Sequence, residues 1–309
     1  MGKMANGKCD HAWETLDDGK IVCFECNKKK FDLTYISLGA GRQSTAMAIC
    51  SAKGLHGVPK AECAIFADTG DEIQDTYDHL ERLTKILKPY GIPVHIVQKG
   101  VLSEDLIRGA APGKSKRRVV SIPGFTAPTD PGPAAILMRQ CTSEYKIYPL
   151  RQKARQLLGL KFRERMGDRR IRVLVGISLD EIYRMKPGRE KWEIRDYPLI
   201  DARLRVEHCN KICMEHLGYI PAKSSCRYCP YHDNHFWSWL KKDRPVEFEK
   251  SCVVDEKIRN QTPKGVERPV FLHRSLTPLR NVDFDALIKD PNQLTLNGFM
   301  NECEGMCGV

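Results

Sequence analysis

Four short hydrophobic runs lie in the first two thirds of the chain, and each is typical of a buried β-strand. They cover residues 33–38, 61–67, 92–98 and 170–177. Between the second and third runs, residues 71–91 carry apolar side chains at helical spacing, which predicts an amphipathic helix that ends at Gly91. Strands that alternate with helices predict an α/β fold, with a parallel sheet flanked by helices.

The remaining segments are predicted to be a loop and further helices. Residues 109–135 are rich in Gly and Pro and indicate a long loop over the carboxyl edge of the sheet, where ligands bind in such folds. A helix is expected at about residues 144–158. Residues 206–260 are predicted to be helical around an interruption that carries cysteines.

Composition and charge narrow the class of protein. Hydrophobic residues make up 41% of the 309 residues, which is enough for a sizeable core. The sequence contains no run of about 18 apolar residues, so we expect no membrane span. The first residues lack the apolar stretch of a secretory signal, so we expect a cytoplasmic protein. The formal net charge of +11 fits either a solvated basic surface or an anionic partner. Thirteen cysteines in a reducing compartment favour metal sites or buried thiols over disulfides.

The first predicted strand enters a glycine turn with the sequence SLGAGRQS, residues 37–44. Arg42 stands where a kinase-type phosphate loop requires Lys, and Ser44 replaces the third glycine of a dinucleotide fingerprint. The pattern S-x-G-x-G-x-x-S is typical of a turn whose backbone N–H groups cradle an anion at the positive end of a helix. The alternative is an ordinary turn between a strand and a helix.

This loop resembles the pyrophosphate loop of the N-type ATP pyrophosphatase superfamily, and it is most similar to the version in phosphoadenosine phosphosulfate (PAPS) reductase-like proteins. Further segments resemble the same proteins, namely residues 66–72 (FADTGDE), 139–151 (RQCTSEYKIYPLR), 176–181 (GISLDE) and 223–232 (KSSCRYCPYH). Residues 271–279 and 301–309 resemble the C-terminal part of an uncharacterised subgroup from bacteria and phages. The resemblance covers residues 33–309 and implies an adenine nucleotide α-hydrolase-like fold.

The resemblance also implies an enzyme. The loop would hold the β- and γ-phosphates of ATP with Mg²⁺ while a substrate oxygen attacks the α-phosphorus, and pyrophosphate would leave. The expected function is therefore ATP-dependent adenylation of a substrate, leading to sulfur transfer to a nucleic acid or small acceptor. One alternative is a PAPS reductase, in which the same loop binds a sulfonucleotide and a C-terminal cysteine attacks its sulfur. The other is a non-enzymatic nucleic-acid-binding module.

Residue roles follow from the same resemblance. The expected nucleotide contacts are Ser37, Gly39, Gly41, Arg42, Gln43, Ser44, Asp68, Gly176 and Glu181. The expected catalytic or anion-binding residues are Asp68, Arg139, Cys141 and Lys146, with Arg151 as a weaker candidate. Asp68 has an alternative role as a helix cap, and Asp180 and Glu181 have one as solvated loop acids. Cys141 is either a sulfur carrier with a pKa lowered by nearby cations or a buried inert thiol.

Cysteine spacing predicts two metal sites. A C-x-H pair followed by a C-x2-C pair predicts a structural Zn²⁺ knuckle, with Cys9, His11, Cys23 and Cys26 as its ligands. A second C-x2-C pair, Cys226 and Cys229, has two open completions. It forms either a local zinc site with His232 and His235, or a four-cysteine site with Cys303 and Cys307 that holds a [4Fe–4S] cluster or a second Zn²⁺. Other cysteines are expected to be buried thiols, namely Cys209, Cys213 and Cys252.

We therefore expect three parts in the chain: a zinc knuckle at residues 1–30, a nucleotide-binding domain at 31–205 and a helical region with a cysteine metal site at 206–309. The expected partners are an adenine nucleotide, a nucleic-acid substrate and a sulfur-donor protein, with no membrane. The sequence leaves the oligomeric state open and is compatible with a homodimer.

Overall fold

The structure, a computed structural model, describes seven stretches of the chain: residues 13–16, 21–23, 30–109, 122–128, 132, 134–260 and 268–289. Its strands are β1 (Trp13–Thr15), β2 (Ile21–Cys23), β3 (Leu33–Leu38), β4 (Cys63–Asp68), β5 (Val94–Gln98), β6 (Phe125–Thr126), β7 (Ala135–Ile136), β8 (Ile171–Val175) and β9 (Glu193–Asp196). Its α-helices are α1 (Arg42–Lys53), α2 (Gln74–Leu87), α3 (Leu102–Gly109), α4 (Tyr148–Leu157), α5 (Pro198–Asp201), α6 (Val206–Leu217), α7 (Asn234–Asp243), α8 (Pro245–Asn260) and α9 (Phe284–Lys289).

A five-stranded sheet in the order β5-β4-β3-β8-β9 forms the centre, and all neighbouring strands in it are parallel. The chain winds from β3 towards β5 on one side and later from β8 towards β9 on the other. The direction of winding therefore reverses between β3 and β8. Ligands of such sheets bind in the crevice outside the carboxyl ends of the strands at this switch point. The sheet and its flanking helices confirm the predicted α/β fold class.

The inner strands are apolar on both faces because helices cover both sides. Ile36 and Leu38 of β3 pack with α1, α2 and α6, whereas Leu33 and Tyr35 pack on the opposite face with α4. The two edge strands are less apolar or more exposed than the inner strands. The prediction of a buried third strand is wrong in part, because β5 is an edge strand with Ile96 59% exposed. The hydrophobic pattern does not predict β9 at all, since its sequence EIRD is mostly charged.

The predicted helices are confirmed with shifted ends. The helix α2 begins at Gln74 rather than at residue 71, and Gly91 ends the region in a left-handed turn with φ of 70°. The helix α4 is preceded by a π-helical turn at Thr142–Ile147. A third hydrophobic cluster joins α3, α7, α8 and α9 to the segment that carries Cys226 and Cys229, with Trp237 fully buried among them. This cluster lies beside the carboxyl edge of the sheet, because Ile73 follows β4 and the α3 residues Leu102 and Leu106 follow β5.

Several predicted features lie outside the described residues. Cys9, His11 and Cys26 of the expected zinc knuckle do, and Cys23 is the one described ligand, buried at the end of the β1–β2 hairpin. Cys303 and Cys307 also lie outside, as does most of the predicted loop at residues 109–135. None of the helices in the described ranges combines the length and the hydrophobicity of a membrane-spanning segment.

Candidate functional site at the carboxyl edge of the sheet

The glycine loop joins β3 to α1 at the switch point. Ser37 is buried in β3, where it pairs in register with Val175 of β8. Ala40 adopts φ of 60°, a left-handed conformation that costs a residue with a Cβ about 1–2 kcal/mol. Gly41 then leads into α1 in an extended conformation. The sequence therefore builds a sharp turn whose backbone faces the carboxyl edge of the sheet.

The first turn of α1 has the features of an anion-binding helix end. Ser44 Oγ donates to the Gly41 carbonyl at 3.2 Å, and Thr45 N donates to the same oxygen at 3.0 Å. In this fully described helix, the first turn holds no acidic residue and the N-cap makes no side-chain hydrogen bond. A helix leaves its first N–H groups without acceptors in the helix, so this end presents donors and positive potential to the crevice.

Gly176 lets β8 pass directly against the glycine loop. A Cβ at this position would lie 2.7 Å from Ser44 Cα and 2.8 Å from Ser44 N. The position that a Cβ would take at Gly176 is thus filled by the loop backbone, and the expected approach of a nucleotide to Gly176 stays a prediction. Because Gly176 has no side chain, β8 can pack directly against the backbone of the loop.

A buried polar network supports the loop from the β8 side. Gln43 Nε2 donates to Glu181 Oε2 at 3.2 Å, and Arg184 Nη1 donates to the same oxygen at 2.6 Å. Burial raises the pKa of Glu181, and the Arg184 guanidinium opposes this rise. Glu181 is therefore not a solvated loop acid. Asp180 instead accepts a hydrogen bond from the N–H of Val206, the first residue of α6.

Asp68 lies half-buried where β4 ends, beside the glycine loop. Its Oδ1 accepts hydrogen bonds from Gly70 N at 2.7 Å and from the Tyr77 hydroxyl at 2.9 Å. The alternative role of Asp68 as a helix cap is wrong, because Ile73 precedes α2 and no side chain of the described residues caps it. The carboxylate is thus held in place at the edge of the crevice.

A buried ion pair joins the segment after β4 to the turn before α4. Lys146 Nζ is 3.5 Å from Glu72 Oε1, and both side chains are largely or fully buried. Burial raises the pKa of Glu72, and Lys146 opposes this rise. Glu72 also forms a β-bridge with Cys226, which brings the C-x2-C segment to this edge. Sequence reasoning did not find Glu72, because its partners are far away in the chain.

Three cysteines line one cavity at this edge: Cys141, Cys226 and Cys229. Arg139, Lys146 and Thr69 line the same cavity. The Thr69 hydroxyl and the Cys226 sulfur are 3.2 Å apart. Burial, followed by the charge of Glu72, raises the pKa of the Cys226 thiol well above its usual range. The structure thus brings three of the predicted residues, Arg139, Cys141 and Lys146, together with the C-x2-C pair.

The arrangement of the described residues does not favour the local zinc completion with His232 and His235. In the part of the chain that the structure describes, no group of three or more His, Cys, Asp or Glu residues is arranged to hold a metal ion. His232 is buried with Nε2 2.9 Å from the Cys226 carbonyl oxygen, and burial lowers its pKa to about 3, while His235 is exposed on α7. The remaining cysteines named above are buried as expected: Cys209, Cys213 and Cys252. Arg151, the weaker anion candidate, pairs instead with Glu193 of β9.

No family model, curated protein or solved structure matches this chain. The fold and the site together define an α/β protein whose glycine loop and α1 N-terminus lie at the switch point. A cavity lined by thiols and cations lies at the same edge of the sheet.

Proposed function

We propose that the chain is an enzyme of the N-type ATP pyrophosphatase kind, which adenylates a substrate with ATP and leads on to sulfur transfer. The position of the SLGAGRQS loop carries this proposal. The loop follows the central strand at the switch point and ends at the N-terminus of α1, where backbone N–H groups and a positive helix end favour phosphate.

Residues of the loop would bind the leaving pyrophosphate. Backbone N–H groups of residues 39–44 and the hydroxyl of Ser37 offer donors to the β- and γ-phosphates. The Ser44 hydroxyl would join them by exchanging its bond to the Gly41 carbonyl for one to phosphate. Asp68, fixed by Gly70 and Tyr77 at the edge of the crevice, is the carboxylate best placed to hold Mg²⁺. The ion would neutralise charge that develops on pyrophosphate. Gln43 and Glu181 would support the loop from the β8 side, since their side chains are hydrogen-bonded to each other.

Arg139 and Lys146 would serve the acceptor side. Both line the thiol cavity, and Lys146 also neutralises the buried Glu72 carboxylate. Cys141 lies half-buried in the wall of the same cavity.

Thiolates are the ligands of iron–sulfur clusters, and three cysteines line the cavity, so Cys141, Cys226 and Cys229 would be candidate ligands of such a cluster. The cluster would supply sulfur-transfer or electron-transfer chemistry. Cys303 and Cys307, which both lie outside the described residues, stay predicted ligands of the same site.

PAPS reduction is a second candidate function, favoured by one observation. Cys141 shares its cavity with Arg139 and Lys146, cations that suit a sulfonucleotide as well as a thiolate. The two functions differ in the nucleotide that the glycine loop holds.

Thermal unfolding of anaerobically purified protein with ATP–Mg²⁺ and with PAPS tests the proposal, because a ligand that binds the folded state raises Tm. Adenylation predicts a rise with ATP–Mg²⁺ alone, and a rise with PAPS alone would overturn it in favour of reduction. Ser44→Ala should reduce the ATP-induced rise. Ser51→Ala is the matched control, because this buried serine lies later on the same helix and also donates to a backbone carbonyl.

A further inference from the structure

A hydrogen-bonded network joins three helical parts of the protein beside the glycine loop. Thr45, the fourth residue of α1, is fully buried, and its Oγ1 lies 2.9 Å from Nε2 of the buried His79 in α2. The other ring nitrogen, His79 Nδ1, lies 2.9 Å from the hydroxyl of Tyr219, which follows α6. We call these three residues the Thr45 network. It runs from the first turn of α1 through α2 to the half-buried Tyr219.

Local structure brings Tyr219 to its place in the network. Gly218 ends α6 with φ of 79°, a left-handed conformation that favours glycine, and the chain turns there. The Tyr219 ring stands edge-on to the His79 ring, with centroids 5.8 Å apart, and Arg82 Cζ lies 5.5 Å from the Tyr219 centroid. Packing therefore holds the ring of Tyr219 independently of its hydroxyl.

The two hydroxyls of the network have coupled roles at His79. Burial, followed by the charge of Arg82, lowers the pKa of His79 to about 4, so the ring is neutral at pH 7. A neutral imidazole donates from one nitrogen and accepts at the other. If one hydroxyl donates to the ring, the other must therefore accept from it. The direction of the hydrogen bond at Tyr219 thus determines the direction at Thr45.

The helix that carries His79 also holds Asp68. The Tyr77 hydroxyl donates to Asp68 Oδ1 at 2.9 Å, and Tyr77 and His79 both lie in the first two turns of α2. The start of α2 is therefore bonded to the carboxylate at the end of β4 and, through Thr45, to the first turn of α1. These two hydrogen bonds help to fix the position of the glycine loop relative to Asp68.

We propose that His79 is a positioning residue for a complex of nucleotide and Mg²⁺, and that Tyr219 acts through it. The inference rests on the proposed function, in which the glycine loop binds phosphates and Asp68 holds Mg²⁺. Mg²⁺ demands near-ideal octahedral geometry, so a nucleotide bound to both the loop and the ion requires a fixed separation between the loop and Asp68. A nucleotide without Mg²⁺ needs only the donors of the loop.

The dissociation constant of ATP, measured by titration calorimetry with and without Mg²⁺ on the anaerobically purified full chain, tests this inference. Wild type should bind ATP more tightly when Mg²⁺ is present. Tyr219→Phe and Thr45→Val each remove one hydroxyl of the network. Each should weaken the binding of ATP–Mg²⁺ about threefold to tenfold, the range expected for one hydrogen bond. Binding of ATP without Mg²⁺ should stay close to that of wild type.

Two matched variants serve as controls. Tyr90→Phe changes a second partly exposed tyrosine with a cation, Lys60, over its ring, and Tyr90 lies in the turn after the far end of α2. Thr84→Val removes a hydroxyl that donates to the Leu80 carbonyl within α2. Both controls should bind ATP–Mg²⁺ as wild type does.

The response to Mg²⁺ separates positioning from a merely structural role. A structural role would lower Tm in Tyr219→Phe and Thr45→Val but leave their response to Mg²⁺ unchanged, and that result would overturn the inference. Wild-type binding of ATP that does not respond to Mg²⁺ would also overturn it, while leaving the role of the glycine loop standing. If wild type does not bind ATP at all, the proposed function fails and the inference fails with it.

Discussion

Lys146 and Glu72 form an ion pair of 3.5 Å at the candidate site, with the carboxylate fully buried and the lysine side chain 12% exposed. The pair joins the π-helical turn before α4 to the segment between β4 and α2. Neither carboxylate oxygen of Glu72 accepts a hydrogen bond from the described residues, so the carboxylate depends on the lysine. Removal of one partner leaves a buried charge uncompensated.

Lys146→Met should therefore lower the unfolding free energy by about 3–5 kcal/mol at neutral pH. Denaturant titration measures this loss. Because Lys146 lowers the pKa of Glu72, the penalty should shrink as the pH falls and Glu72 takes up a proton. The double variant Glu72→Gln with Lys146→Met should recover most of the stability, and a double variant as unstable as the single one would contradict the ion-pair explanation.

His79 makes the stability of the chain dependent on pH. Its ring is buried between the Thr45 hydroxyl and the Tyr219 hydroxyl, each 2.9 Å from a ring nitrogen. Burial lowers the pKa of His79 to about 4, below its ordinary value of 6.5. Since the unfolded chain binds the proton more tightly, the contribution of His79 is complete above pH 6.5 and is lost as the pH falls through 4.

Wild type should thus lose about 3 kcal/mol more unfolding free energy between these two pH values than His79→Gln does. Urea titrations at a series of pH values measure this difference. His235→Gln, at an exposed position on α7, is the control and should follow wild type. Parallel curves for wild type and His79→Gln would show that the ring is not held neutral.

Gly176→Ala should distort the glycine loop. The added Cβ would lie within 2.8 Å of the Ser44 backbone, which cannot move without shifting the first turn of α1. We expect a loss of about 1–3 kcal/mol of stability and of the ATP-induced rise in Tm. Gly57→Ala is the control: its φ of 69° carries some strain, but its Cβ would meet open space. A normal ATP-induced rise in Tm in Gly176→Ala would show that nucleotide binding does not depend on this geometry of the loop.

The thiol cavity predicts the metal content of the protein. Iron measured in anaerobically purified protein should fall in each of three alanine variants, at Cys141, Cys226 and Cys229. Cys252→Ala should keep its iron, because that thiol is buried in α8 away from the cavity. Wild-type protein without iron would exclude the cluster and leave the cavity as a site of thiol chemistry.

Apolar patterning in the sequence by itself determined the inner strands β3, β4 and β8 and the helices α2, α6, α7 and α8. These elements bury continuous or periodic apolar faces, and the spacing of apolar residues along the sequence shows which faces are buried. The glycine loop and Asp68 were also predictable as neighbours, since parallel strands end at the same edge of a sheet. The strand β9 was not, because Glu193 is buried there through ion pairs with Arg151 and Arg195 that a local pattern does not report.

Tertiary structure alone decided which distant groups share the site. It placed Cys141 beside Cys226 and Cys229, paired Lys146 with Glu72, and bound Gln43 to Glu181, 138 residues away. None of these pairs has a spacing that a local pattern can report. They meet because the sheet reverses its winding between β3 and β8 and because the C-terminal helices pack onto its carboxyl edge.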